Sequence, residues 1–113
     1  MSPTSTRDPI PPGTLEMLVL RTLARHGEQH GFEIADAIQR ISADVLHVEE
    51  GSLYPALQRM LLKGWVVAEW GRTDENRRAR YYKLTAAGRR QLDREVASYE
   101  RIADAIARVL QPN

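Results

Sequence analysis

Apolar residues three and four apart before Gly64, a switch to alternating spacing from Trp65 and a return to helical spacing after Thr85 predict a mainly α fold with a small β-hairpin. The predicted order is helix, helix, short link, helix, two-stranded hairpin, helix. That order is a winged helix-turn-helix with an added C-terminal helix. At 113 residues the chain has room for one hydrophobic core, not two.

Four prolines (Pro3, Pro9, Pro11, Pro12) among small polar residues disfavour regular structure at the start, so residues 1–11 are expected to form a flexible arm. Residues 12–85 form the expected winged helix-turn-helix. Helix one runs from about Pro12 to His26, burying Leu15, Leu18, Val19, Thr22 and Leu23. Met17, Leu20 and Ala24 lie off that stripe, and in so small a domain they point to a partner subunit. Glycines in "HGEQHG" break the pattern, and helix two resumes it over about Gly31–Ser42 with Phe32, Ala35, Ile38 and Ile41, Ile34 lying alongside. "ADVLHVEEG" has length only for a turn or one short strand. Helix three starts at Ser52 as N-cap, with Pro55 in the first turn, where a missing N–H breaks no helical bond, and Gly64 stops it.

"WVVAEWGR" and "RARYYKL" are β-branched and aromatic, with "TDEN" as the turn between them, and they read as a hairpin. Thr85 then caps a last helix over residues 86–113. Its stripe of Leu92, Val96, Tyr99, Ala103, Ile106 and Leu110, widened by Ile102 and Val109, is a pairing seam, so this helix is expected to dimerise the chain.

The absence of cysteine excludes disulfide scaffolds, cysteine nucleophiles and thiolate metal sites, and suits a reducing cytoplasm. Apolar runs are too short to span a membrane, and no signal-peptide core opens the chain. The total charge is +1, but from Gly71 to Arg90 seven basic residues stand against two acidic ones, giving that stretch +5 and the remainder −4. Such segregation is a candidate footprint for nucleic acid.

At about 100° per residue, helix three turns Leu53, Leu57, Met60 and Leu61 to one side and Pro55, Gln58 and Arg59 to the other, with Tyr54 at the boundary. Ser52, Tyr54, Gln58, Arg59 and Lys63 offer donors for bases and phosphates, Gln58 and Arg59 being the expected base readers. Leu62 breaks the polar face, and its spacing leaves open whether it packs under the hairpin. Arg77, Arg78 and Arg80 form a cationic hairpin tip suited to a DNA backbone or minor groove. His30 and Arg72 are further candidate contacts.

Other readings carry less. His26, Glu28, His30 and His47 lack a metal-ligand pattern, so no metal or cofactor is expected. Ser52, His47, Glu49 and Glu50 are close in sequence without a nucleophile elbow, so no enzyme is expected. Trp65, Trp70, Tyr81 and Tyr82 pack on helices more readily than they line a ligand site. The last helix, with charges of both signs opposite its stripe, suits pairing better than a membrane surface.

"GTLEMLVLRTL", "HGFEIADAI", "EEGSLYPALQRMLLKGWV" and "RARYYKLTAAGRRQL" resemble, in continuous order over roughly Pro12 to Glu95, the successive motifs of the PadR family of transcriptional regulators. The resemblance implies a dimeric winged-helix repressor of bacterial type, acting on double-stranded DNA and released by a small-molecule effector or another signal. It carries a recognition role onto Ser52, Tyr54, Pro55, Gln58 and Arg59, and a wing role onto Arg77, Arg78 and Arg80. Dimerisation falls on the last helix, helped by the first, and the single C-terminal helix matches the family's short branch. A winged helix that binds another protein is the alternative expectation.

Overall fold

The computed structural model describes residues 8–11 and 13–112. β1 (Asp8–Pro9) leads into α1 (Leu15–His26); β2 (Gln29–His30), α2 (Gly31–Ile41), β3 (Leu46–His47) and α3 (Glu50–Leu62) follow, then β4 (Val66–Arg72), β5 (Arg78–Leu84) and α4 (Ala86–Leu110). The predicted class holds: the described residues form four helices and a small antiparallel sheet in winged-helix order.

α1 is central, bearing on α2, α3, α4 and β5. Because neighbours surround it, residues on more than one face are buried: Met17, Val19, Leu20, Thr22 and Leu23. Met17 and Leu20, expected at a partner subunit, therefore belong to the chain's own core, with Leu20 fully buried. Thr22 is tolerated there because its hydroxyl donates to the Leu18 carbonyl at 2.8 Å. Ile34 and Ala37 from α2 and Leu53, Ala56, Leu57 and Met60 from α3 complete the centre. Each large aliphatic side chain buried in this way contributes roughly 1.5–3 kcal/mol.

A third strand joins the sheet where the glycines of "HGEQHG" interrupt the helical spacing. β4 and β5 pair antiparallel from Val66 opposite Leu84 to Arg72 opposite Arg78, and β2 adds to the other edge of β5. The expected arm lies outside the described residues up to position 7. Asp8–Pro9 form a parallel bridge with Leu46–His47, and Ile10 packs against the core.

Three helix details differ from expectation. α3 begins earlier, with Glu49 in extended conformation as N-cap, its carbonyl accepting from Ser52 (3.0 Å) and Leu53 (2.9 Å). Ser52 is thus inside the first turn and caps nothing, while Glu50 places a carboxylate at the favourable end of the helix dipole. Pro55 consequently lies in the helix interior, so the Gly51 carbonyl loses its usual N–H donor four residues on. In α2, Phe32 is 72% exposed and Ile41 51%, because Gly31, Ile34, Ala37 and Ile38 form the buried stripe instead.

Thr85 joins three elements. Its hydroxyl accepts from the Gly88 N–H at 3.0 Å, the predicted N-cap, and donates to the Gly64 carbonyl at 2.7 Å, while its N–H donates to the Trp65 carbonyl at 3.0 Å. α4 then packs Gly88 and Leu92 inward, with Val96 half-buried against the core. Leu92 and Val96, expected in the dimer seam, serve the chain's own core because the first half of α4 lies against α1. Beyond Val96 the helix leaves that support, and Tyr99, Ile102, Ile106, Val109 and Leu110 are all more than half exposed.

Candidate nucleic-acid interface

Gly31, at the start of α2, lies against the Tyr54 side chain of α3. A Cβ there would come 2.6 Å from the Tyr54 hydroxyl oxygen and 2.9 Å from its ring, so only glycine lets the phenol lie across the start of α2. Tyr54 keeps 47% of its surface exposed. Partial burial first and the Glu50 carboxylate second raise its pKa above the ordinary 10.0. The phenol therefore stays a neutral hydrogen-bond donor throughout the neutral range, and any loss of that donor by ionisation falls above pH 10.

Leu53, Ala56, Leu57 and Met60 anchor α3, and Ser52, Pro55, Gln58 and Arg59 face outward as expected. One cation of this helix, Arg59, and the Lys63 at its C-cap already have partners. Arg59 Nε donates to Glu16 Oε2 of α1 at 2.9 Å, and Lys63 Nζ sits 4.6 Å from the centroid of the Trp65 ring. Gln58 is the exposed polar group of the helix's middle turn with its amide open. Leu62 lies with them at 79% exposure instead of under the hairpin, since the hairpin turns away at Gly64.

Paired residues of the hairpin share a face. Val66, Leu84, Ala68 and Tyr82 turn one face of β4 and β5 to the core, and the same face continues outward as Trp70 opposite Arg80 and Arg72 opposite Arg78. The turn is closed by Thr73, whose N–H donates to the Arg77 carbonyl at 2.9 Å and whose hydroxyl accepts from the Glu75 and Arg77 N–H groups, each at 3.2 Å. Asn76 takes the left-handed conformation the turn requires, with φ 61°. Arg72 donates to the Asn76 carbonyl at 3.2 Å, so it braces the turn. Among the described residues, Arg77, Arg78 and Arg80 take part in no ion pair, which leaves their charge available to an outside anion.

His30 is the N-cap of α2, its N–H donating to Glu33 Oε1 at 3.1 Å. Its ring meets Tyr81 edge-on at 5.2 Å, and its side chain is only 13% exposed, so it acts mainly as a packing group where α2 meets the sheet. The Tyr54 flank of α3, Phe32 at the head of α2 and the Trp70, Arg78 and Arg80 face of the hairpin together line an open cleft of about 860 Å³. Of the recognition-helix candidates, Tyr54 meets the wing residues in this cleft, whereas Ser52, Pro55, Gln58, Arg59 and Lys63 do not line it.

Residues 19–94 match the model of the transcriptional regulator PadR-like family. The chain belongs to this family. A PadR family transcriptional regulator of Eggerthella lenta superposes with a TM-score of 0.74 at 27% identity, over 89% of this chain and 85% of that one. A transcriptional regulator of Clostridium thermocellum shares the fold with a TM-score of 0.79 at 22% identity, over 88% of this chain and 95% of that one. A 37.1 kDa protein in a Streptomyces fradiae transposon is 40% identical over 91 residues, which cover 80% of this chain and 24% of that protein.

In this PadR-like chain two residues of the cleft escaped the sequence reading. Phe32 shares the spacing of Ala35, Ile38 and Ile41, which predicts a core position, whereas the fold buries Gly31, Ile34, Ala37 and Ile38. Trp70 is expected to pack on the helices, yet it is 59% exposed, with the Arg78 and Arg80 guanidinium groups over its ring. No helix among the described residues is long and apolar enough to cross a membrane, and no group of acidic or histidine side chains among them is arranged to hold a metal ion.

Proposed function

We propose that this PadR-like regulator is a homodimeric, sequence-specific repressor that binds a roughly palindromic operator in double-stranded DNA and is released by a small molecule or another signal. The observation that carries this reading is the shared cleft, in which Tyr54 of α3 and the hairpin arginines Arg77, Arg78 and Arg80, free of ion pairs among the described residues, stand together. α3 would enter the major groove, where the base edges are distinguishable, while Arg77, Arg78 and Arg80 of the wing meet phosphates. The exposed second half of α4, with Tyr99, Ile102, Ala103, Ile106 and Leu110, supports pairing of two copies. Two recognition helices would then face major grooves about one turn, ~34 Å, apart.

The test is binding to duplex from the chain's own upstream region and to a scrambled duplex, titrated over several salt concentrations. Preferential and steeply salt-dependent binding is expected, because each phosphate neutralised releases counterion. Indifference to both duplexes at low salt would transfer the cleft to a protein partner.

Within this reading Gln58 is the first base reader, since Arg59 has to leave Glu16 before it can reach DNA. Gln58→Ala is expected to lose ~1–3 kcal/mol on the operator and little on scrambled duplex, narrowing the ratio between them. Equal loss on both would assign Gln58 to the backbone. Arg59→Ala should cost less than Gln58→Ala, because its exposed ion pair with Glu16 competes with DNA for the same guanidinium.

A further inference from the structure

Trp70 is the large aromatic whose position the winged-helix core does not explain. Aromatic rings of this size usually bury most of their surface in a core or an interface. This one lies beyond the core end of its strand, 59% exposed. What it touches is charge: Arg78 Cζ is 4.5 Å and Arg80 Cζ 5.9 Å from the ring. Cross-strand register produces this arrangement, with Trp70 directly opposite Arg80 and Arg78 two residues along on the same face.

A guanidinium that stacks on a ring uses its π face and keeps its edge N–H donors, and those edge donors are what a phosphate engages. Stacking also removes much of the rotamer freedom that a long side chain would otherwise lose on binding. Resting on the DNA-binding reading above, we propose that Trp70 is a positioning residue of the wing: its ring holds Arg78 and Arg80 together on the cleft face so that both meet DNA phosphates. Arg77, in the turn and without a ring beneath it, stands outside this arrangement.

The roles separate by salt dependence. Trp70→Ala removes the platform but no charge, so affinity for a random duplex should fall ~5- to 30-fold, the equivalent of two such contacts, while the slope of log affinity against log salt stays that of the parent protein. Arg78→Gln removes a charge and should reduce the slope by ~0.9. Trp70→Phe keeps a ring and should recover part of the loss. Melting temperatures of all variants are measured alongside.

Binding by Trp70→Ala within about twofold of the parent, at a parent affinity that is itself salt-dependent, overturns the proposal. So does an equal loss in Trp70→Ala and Trp70→Phe accompanied by a lowered melting temperature, which would mean that Trp70 only supports the hairpin. A parent protein that binds no duplex at low salt fails the DNA reading itself, and that outcome is visible before any variant is compared.

Discussion

Ile106→Glu is expected to give a folded monomer that has lost operator binding. Ile106 is 53% exposed within one chain, in the half of α4 that leaves the core, so a carboxylate there costs the single chain little. In a paired seam the same change buries a charge against apolar side chains and opposes it to its own copy across the two-fold axis. Losing the pairing turns a two-site engagement into separate half-site encounters, which removes an advantage of ~10²–10⁴ in affinity. Light scattering gives the mass, circular dichroism the fold, and duplex titration the loss. A dimer that still prefers its operator would move the interface elsewhere.

Gly88→Val is expected to have the largest effect on the fold. Gly88 lets the first turn of α4 press against Trp65, just before β4, and Leu84 of β5: a Cβ at this position would overlap the Trp65 carbonyl and lie 2.8 Å from Leu84 Cδ1. The obstacle is backbone, which cannot rotate away. Overpacking typically costs ~1–3 kcal/mol and more where the neighbour cannot yield, so a loss at or above ~3 kcal/mol is expected. At ~4–8 °C per kcal/mol for a domain near this size, the melting temperature should fall by more than ~10 °C. Gly51→Ala is the control. A Cβ there meets nothing within 4 Å, and alanine favours the helix, so that variant should melt no lower than the parent. A Gly88→Val melt equal to the control would show that α4 is not locked at this turn.

The elements that local spacing can define were legible in the sequence. Alternation and the polar turn placed the hairpin, and Thr85 capped α4 as its position before an apolar stripe suggested. What failed depended on neighbours distant in sequence. One stripe per helix is the pattern of a surface helix, but α1 is enclosed by other elements, so Met17 and Leu20 went inward. Leu92 was indistinguishable from the seam because the same spacing serves both the core half of α4 and its projecting half. Ser52 looks like a cap, yet the extended Glu49 started the helix earlier. The outward face of α3 was legible, but the partner of Arg59 lies 43 residues away, beyond any local pattern. The contact of Trp70 with Arg78 and Arg80 depended on cross-strand register, which fixes who stands opposite whom only once the turn is closed.

The segregation of charge along the chain has a kinetic consequence. A net charge of +1 would suggest a molecule almost indifferent to the field of a polyanion. A protein whose sequence carries +5 between Gly71 and Arg90 and −4 over the rest presents instead a local cluster of cations at its hairpin, where Arg77, Arg78 and Arg80 take part in no ion pair among the described residues. Far from DNA such a molecule feels little net pull. Nearer, within about a Debye length, it feels a torque that swings the hairpin forward before any contact forms. Encounter would then be limited by how fast the body turns, with productive orientation selected during approach.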